Sequence, residues 1–335
     1  MIETKDNPFS PLTPDLILQA AEQGIGVSLE SVVHPCNSYV NRVYSLKAEE
    51  GDRYVIKFYR PGRWSLSAIE DEHNLLQECA KEEIPVVPPV VIKGLNVPSS
   101  SIQTIGVIEG IFFSCFPFKG GRTFDITSDD DYLRIGRLIG NLHRISKNGN
   151  AQSRVTFSPQ NVYTSFCEPF SRSSALYPEV REEFLELCQN VLFTSEAYFK
   201  ADSFIRIHGD CHRGNILDRG NEDLLLIDFD DMMIGPAVQD LWLLLPDHLA
   251  SSRREMNLLI EGYETFCSFN RDSLRLIETL RFMRNLYFLS WMDSQKEDAG
   301  FSQRYPDWGS KAFWITEMED LRYQGGHALE TLLQD

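Results

Sequence analysis

The sequence predicts an α+β protein with two lobes, a small N-terminal lobe built on an antiparallel sheet with one helix and a larger, mainly helical C-terminal lobe. Three observations lead to this prediction. Apolar and polar residues alternate between residues 32 and 59, which is the period of a β-strand. Beyond a segment at 117–121 that contains Pro and paired Gly, apolar residues recur at helical spacing. A strand–loop–strand pattern at 204–227 then interrupts the helices.

Composition narrows the class of protein. A chain of 335 residues with 42% hydrophobic and 24% charged residues can bury the cores of two lobes. Its apolar runs are far shorter than the roughly 18 residues of a membrane span, and its start lacks the pattern of a secretion signal. The net charge of −17 disfavours broad binding to nucleic acid. Seven cysteines without a Cys-x-x-Cys pair indicate reduced thiols. We therefore expect a cytoplasmic protein without membrane or nucleic-acid partners.

The N-terminal lobe is expected to contain two helices and four strands. Pro14 opens the first helix and Gly24 ends it, and Pro85 follows the second helix, whose buried face carries Ile69 and Leu75. The strands are predicted at 42–46, 54–59, 90–92 and 111–116. The break after Pro117 predicts lobes at residues 1–117 and 118–335.

The C-terminal lobe is expected to be helical apart from two short strands. Helices are predicted at 129–145 and 179–200, with several more from residue 237 onward. The strands at 204–207 and 224–227 enclose a polar loop. Short segments that differ from their surroundings in this way are candidates for chemistry.

Three residues of this loop and the following strand match the needs of in-line phosphoryl transfer. Asp210 precedes Asn215 by five residues, and Asp228 ends the second strand. Asp210 is the predicted proton acceptor for an attacking hydroxyl, and Asp228 is also placed in the catalytic set. Asn215 and Asp228 carry the oxygen ligands that Mg²⁺ prefers, so they are predicted to hold magnesium on the phosphates of ATP.

Other chemistries fit the same loop less well. Asp and Asn could simply cap the turns of a hairpin, as they do in most loops. His208 and His212 are four residues apart, but the glycines between and after them disfavour a helical zinc site. Cys211 beside His212 suggests a Cys/His nucleophile, although adjacent side chains on an extended loop point apart.

A cation and a turn complete the predicted nucleotide site. Lys57 lies in an apolar strand whose alternation points it inward, where it needs an anionic partner. Glu72 on the following helix is the preferred partner and Glu70 is the alternative. No Gly-x-Gly-x-x-Gly motif precedes these strands, and the turn around Ser38 is predicted to contact phosphate instead. A snorkelling lysine and a plain polar turn are the structural alternatives.

Longer runs of residues resemble a known family. They include Asn37-Ser38-Tyr39, Lys57-Phe58-Tyr59-Arg60-Pro61 and the loop at 208–217. Together they resemble the aminoglycoside phosphotransferase-like branch of the protein kinase superfamily. The resemblance implies a two-lobed protein kinase-like fold and a monomeric, cytoplasmic Ser/Thr protein kinase with a role in bacterial stress responses. It also implies that Asp210 accepts the proton, that Asn215 and Asp228 bind magnesium, and that Ser38 belongs to the nucleotide loop.

Three functions stay open at this point. The chain could phosphorylate Ser or Thr of a protein, or it could phosphorylate a small alcohol such as an aminoglycoside, choline or a homoserine-like compound. It could also be a pseudokinase scaffold, which the complete set of expected groups disfavours. The first two share every catalytic residue, so the catalytic core does not separate them.

Overall fold

The computed structural model of the chain describes residues 8–38, 40–93, 102–220, 223–298 and 300–333. These residues form two compact units. Unit 1 contains the described residues of Met1–Ile126, Arg144–Arg154 and His212–Met232, and unit 2 contains those of Thr127–His143, Val155–Cys211 and Met233–Asp335. Unit 1 combines segments from both sides of residue 117, and the lobe boundary expected there stays a prediction.

Unit 1 is built on an antiparallel five-stranded sheet in the order β1-β2-β3-β5-β4. The strands are β1 (His34–Pro35), β2 (Arg42–Lys47), β3 (Arg53–Phe58), β4 (Gly106–Ile108) and β5 (Ile111–Pro117). In the register of the sheet, Lys57 lies opposite Val43 on β2 and Ser114 on β5. Ile56 and Phe58, its neighbours along β3, belong to the hydrophobic core on the other face. The alternation that predicted an inward lysine therefore separates Lys57 from the core.

Two helices accompany this sheet, α1 (Pro14–Ile25) and α2 (Leu66–Lys81). The Thr13 side chain accepts a hydrogen bond at the start of α1, and Ser65 does the same for α2. The prediction that Gly24 ends α1 is wrong, because the helix continues to Ile25 and is capped by Gly26 at φ 79°. Gly24 serves packing instead, since a Cβ atom there would lie 3.2 Å from side-chain atoms of Ile92 and Phe113.

A second, three-stranded sheet of unit 1 has the order β6-β8-β9. Its strands are β6 (Arg122–Thr123), β8 (Ile216–Asp218) and β9 (Leu224–Leu226). The strand expected at 90–92 is absent from the described residues, although the backbone N–H groups of Val90 and Ile92 donate to Cys115 and Gln103. The preceding Pro88 and Pro89 have no N–H to continue a ladder, so the segment forms isolated hydrogen bonds.

Unit 2 is mainly helical. Its helices are α3 (Asp129–Ser146, whose last residues belong to unit 1), α4 (Pro159–Val162), α5 (Glu168–Phe170), α6 (Arg181–Glu196), α7 (Gln239–Trp242), α8 (Arg253–Tyr263), α9 (Ile277–Ser294), α10 (Phe301–Arg304) and α11 (Lys311–Leu333). The helix expected at 179–200 is α6, which begins after a 3₁₀ turn at Pro178–Val180 and ends at Glu196. Gly136 of α3 lies against the backbone of α8, where a Cβ atom would be 2.2 Å from the Leu259 carbonyl oxygen.

The two strands expected around the polar loop do not pair with each other. The first, β7 (Ile205–Ile207), pairs antiparallel with β10 (Met233–Gly235) in unit 2. The second is β9, which pairs with β8 in unit 1. The three residues of β8 were too few to show strand periodicity in the sequence, so the expected strand–loop–strand unit is replaced by two separate pairings.

Two expectations about the whole chain can be compared with the structure. Within the described residues, none of the seven cysteines forms a disulfide, and five of them are buried. Within the described part of the chain, every helix is too short or too polar to cross a membrane.

Candidate nucleotide site and catalytic loop

Unit 1 contains a cavity of about 410 Å³ beside β2 and β3. Four of the residues singled out in the sequence line it, namely Ser38, Lys57, Glu72 and Asp228. The rest of the wall is largely apolar and includes Val43, Val55, Leu76, Val87, Phe116 and Leu226. An apolar cavity with a few charged groups at one side has the character of a small-molecule site.

Lys57 is nearly enclosed, with its side chain 9% exposed. Its Nζ atom lies 3.7 Å from Glu72 Oε1, 3.7 Å from Asp228 Oδ1 and 2.8 Å from Asp230 Oδ1. Burial lowers the pKa of Lys57, but the carboxylates of Asp230 and Glu72 outweigh burial and raise that pKa well above its ordinary value. The lysine is therefore a fixed positive charge at the cavity wall.

Glu72 lies on the buried face of α2 and is 1% exposed. Its Oε1 atom faces Lys57, and its Oε2 atom accepts a hydrogen bond from Arg154 Nη2 at 2.8 Å. Burial raises the pKa of Glu72, and the charges of Lys57 and Arg154 offset part of that shift. Of the two candidates on this helix, the structure thus brings Glu72 to Lys57, while Glu70 is only partly buried.

Asn215 and Asp228 lie at the same end of the β8–β9 hairpin. The backbone N–H of Ile227, next to Asp228, donates to the Asn215 carbonyl at 3.0 Å. Asp228 adopts the left-handed conformation at φ 62°, and its side chain is 56% exposed. One carboxylate and one amide oxygen fit a magnesium ion that takes its other ligands from phosphate and water.

Ser38 lies in the exposed segment between β1 and β2 and lines the cavity together with Cys36 and Asn37. The Cys36 N–H donates to the Val43 carbonyl at 2.8 Å, which closes the turn onto β2. Tyr39, part of the same run in the sequence, lies outside the described residues.

The first part of the loop, which carries Asp210 and extends to Cys211, belongs to unit 2, and Asp240 holds it in place. The fully buried Asp240 carboxylate accepts hydrogen bonds from the backbone N–H groups of His208 at 2.7 Å and Gly209 at 2.9 Å. His143 Nε2 lies 3.0 Å from the same carboxylate. Gly209 adopts φ 81°, a conformation that favours glycine. The loop is thus held through its backbone immediately before Asp210.

Several residues that the sequence did not single out also contact the predicted groups. Arg284 of α9 donates a hydrogen bond to Asp210, and it lies 74 residues further along the chain. In unit 1, Asp230 contacts Lys57, and Arg63 and Arg154 contact the carboxylates around it. Arg63 belongs to the run from Lys57 to Trp64, which also carried the family resemblance, although no role was predicted for it. Arg154 and Arg284 belong to no motif and had no signal in the sequence.

Cys211 is not arranged as a nucleophile. Its side chain is fully buried, and burial raises the pKa of its thiol well above the ordinary value. Burial of this thiol therefore disfavours Cys211 as the nucleophile of a Cys/His pair.

Most of the chain matches a known protein family. A family model described as the phosphotransferase enzyme family matches residues 33–277. The chain belongs to this family. Because the match spans both the Lys57 strand and the loop at 208–217, the family resemblance predicted from those runs is confirmed.

The relatives that match at the sequence level extend over most of the chain. Stress response kinase A of Escherichia coli K12 is 33% identical over 310 residues, which cover 92% of this chain and 91% of that protein. Serine/threonine protein kinase RdoA of Salmonella typhimurium LT2 is 36% identical over 312 residues, covering 91% and 90% of the two chains. The residue runs had also indicated bacterial stress response kinase A within the family, and this closer resemblance is confirmed.

A solved structure supports the fold independently. The amicoumacin kinase hAmiN, in complex with AMP-PNP, Ca²⁺ and Ami, aligns with a TM-score of 0.71 at 15% identity, and the alignment covers 92% of each chain. At this identity the likeness shows the fold alone. The predicted kinase-like α+β fold is confirmed.

Proposed function

We propose that this protein is an ATP- and magnesium-dependent Ser/Thr protein kinase that acts in a bacterial stress response. Membership of the phosphotransferase family supports the reaction type. The proposal that the protein binds ATP rests on the buried Lys57 ammonium. It lies at the wall of an apolar cavity, and its Nζ atom is within 3.7 Å of carboxylate oxygens of both Glu72 and Asp228. The protein acceptor is supported by the relative named as a Ser/Thr kinase, which matches over 91% of this chain.

In this proposal the cavity takes ATP. The apolar wall around Val55, Leu76 and Leu226 would cover the base, and Lys57 would donate to phosphate oxygens. Glu72 would orient the lysine, since it contacts Lys57 on one oxygen and is anchored on the other. Ser38 and the neighbouring turn would donate further hydrogen bonds to phosphate.

Asn215 and Asp228 would hold the magnesium ion, which would neutralise charge on the transferred phosphoryl group. Asp210 would accept the proton of the acceptor hydroxyl while the hydroxyl oxygen attacks the γ-phosphorus. The bond between the γ-phosphorus and the β,γ-bridging oxygen breaks in the same step, and ADP leaves. The backbone bonds to Asp240 and the contact with Arg284 would keep the Asp210 carboxylate in place. We further propose a cytoplasmic monomer with lobes at 1–117 and 118–335.

The decisive experiment supplies radiolabelled ATP, magnesium and two kinds of acceptor to the purified chain. We expect label on Ser or Thr of a basic test protein and no label on aminoglycoside, choline or homoserine. If the labelled phosphate were transferred to one of the alcohols and not to protein, the chain would be a small-molecule kinase and the proposed protein acceptor would be wrong. ATP binding without any transfer would instead support the scaffold alternative.

The metal assignment has its own test in Asp228→Ala. We expect calorimetry to find weak ATP binding even at saturating magnesium, because a ligand to the ion and a neighbour of Lys57 vanish together. Asp218→Ala on β8 is the matched control, because the Asp218 carboxylate accepts a local hydrogen bond from the Gly220 N–H at 2.8 Å. Unchanged Mg-ATP affinity in Asp228→Ala would contradict the assignment.

A further inference from the structure

Arg63 lies in the loop between β3 and α2 and reaches the turn that follows Asp228. Its Nη1 atom is 3.0 Å from Asp230 Oδ2, and its Nη2 atom is 2.5 Å from Asp231 Oδ1. The Arg63 side chain is only 13% exposed. This arginine joins two parts of the chain that are 168 residues apart in sequence, and the function proposed above does not use it.

The carboxylate of Asp230 is divided between two cations. Its Oδ1 atom lies 2.8 Å from Lys57 Nζ, and its Oδ2 atom faces Arg63. Glu72 has the same arrangement, because one of its oxygens faces Lys57 and the other faces Arg154. Lys57 is thus flanked by two buried carboxylates, and each of them has an arginine on its outer oxygen.

The two arginines differ in how they are anchored. Arg154 is fully buried and donates to the backbone carbonyls of Ala68 and Asp230 at 2.6 Å, in addition to Glu72. Its removal would therefore disturb the backbone of two segments. Arg63 contacts Asp230 and Asp231 through their side chains, so its effect on charge can be tested with less risk to the fold.

The strength of the Lys57–Asp230 ion pair determines how readily Lys57 can bind another anion, such as a phosphate group. Attraction between buried charges is strong because little water screens them. A carboxylate that loses one of its two cations attracts the remaining cation more strongly. Its negative charge, which is then less compensated, also repels an incoming phosphate. Asp230 without Arg63 would therefore hold Lys57 more tightly and oppose the phosphates of a nucleotide.

We infer that Arg63 is a positioning residue for nucleotide binding: by occupying the outer oxygen of Asp230, it leaves Lys57 available to phosphate. The inference rests on the proposed role of Lys57 as the phosphate-binding cation. It assigns to Arg63 a function in ATP affinity, in addition to its contribution to the fold.

The test compares Arg63→Met with the double variant Arg63→Met/Asp230→Asn. We expect Arg63→Met to raise the KM for ATP about tenfold, with a smaller change in kcat, which is within the usual coupling of contacting charges. Removing the charge of Asp230 as well should return the KM to within about threefold of the wild-type value. Arg63→Lys keeps the charge but lacks the two terminal nitrogens with which a guanidinium contacts both carboxylates. Its KM for ATP should lie between those of wild type and Arg63→Met.

Arg144→Met is the matched control. Arg144 also forms an ion pair within unit 1, at 3.5 Å from Glu82, but both side chains are more than a third exposed. The KM for ATP should not change in this variant. If Arg63→Met unfolds, ATP titration of Arg63→Lys and of Arg63→Lys/Asp230→Asn by calorimetry provides the same comparison.

Two results would overturn the inference. One is an unchanged KM in Arg63→Met, and the other is a raised KM that the Asp230→Asn change fails to lower, as a purely structural role would give. Lys57→Met separates this failure from failure of the proposed function. If Lys57→Met weakens ATP binding and Arg63→Met does not, only the inference about Arg63 is wrong. If Lys57→Met leaves ATP binding intact, both the inference and the proposed role of Lys57 are wrong.

Discussion

Lys57 in unit 1 and Asp210 in unit 2 are held in place in different ways. Lys57 is surrounded by side-chain charges, with Glu72, Asp228 and Asp230 all within 3.7 Å of its Nζ atom. The loop before Asp210 is fixed through its backbone, whose N–H groups donate to the single buried carboxylate of Asp240. A backbone anchor sets geometry, whereas a cluster of charges also sets how strongly the cation binds another anion. Substitutions near Lys57 should therefore change nucleotide affinity, and those near Asp210 should change the rate of transfer.

The largest expected effect is that of Asp210→Asn. Phosphate transfer should fall by roughly two to four powers of ten, because a positioned base is lost. ATP affinity should stay near that of the wild type, since the charges around Lys57 are untouched. Single-turnover assays and calorimetry measure the two quantities, and Asp202→Asn, an exposed position of unit 2, serves as the control. Turnover close to wild type would remove Asp210 from the catalytic role.

Asp240→Asn should have an intermediate effect and sharpens the same comparison. An amide cannot accept from His208, Gly209 and His143 as a carboxylate does, so the loop should shift. We expect kcat to fall by about 10- to 100-fold and the free energy of unfolding to fall by about 1–3 kcal/mol.

The control for Asp240→Asn is Asp247→Asn. The exposed Asp247 carboxylate accepts a local hydrogen bond from the His248 N–H at 2.7 Å, so this variant should behave like wild type. A rise in the KM for ATP without a fall in kcat in Asp240→Asn would contradict the division between the two units.

The smallest expected effect concerns His73, which is fully buried beside the Lys57 cluster. Its ring nitrogens lie 2.9 Å from the Tyr59 hydroxyl and 2.7 Å from the Thr104 hydroxyl. Burial, together with the charges of Lys57 and Arg154, lowers the pKa of His73 well below its usual 6.5. Below about pH 6.5, His73 therefore binds a proton in the unfolded chain but stays neutral in the folded chain. The free energy of unfolding falls as the pH falls, because protonation favours the unfolded state.

His73→Gln should reduce this dependence on pH. Urea unfolding between pH 5.5 and 7.5 would measure it, since one such group contributes at most about 1.4 kcal/mol per pH unit. Tyr59→Phe removes a hydrogen bond but no group that titrates in this range, so it should lower stability without changing the slope. An identical slope in His73→Gln and wild type would show that other groups produce the pH dependence.

Much of the fold near the site could be predicted because its signals are local. Strands β2 and β3 follow the alternation of apolar residues, and α2 follows helical spacing. Errors arose where tertiary pairing overrides the local pattern. The segment at 90–92 looks like a strand but lacks a ladder, and β7 pairs with β10, which lies beyond the second strand of the expected unit.

The sequence was enough to predict the α+β class, the family, the inward direction of Lys57, and the short loop that carries Asp210 and Asn215. All of these depend on periodicity or on residues close together in the chain. The charges that surround these groups, in contrast, come from distant parts of the chain and are known from the folded structure. The contact of Arg63 with Asp231 spans 168 residues, and that of Arg284 with Asp210 spans 74. Such pairings have no period in the sequence, because a charged side chain can meet any opposite charge that folding brings within a few ångströms.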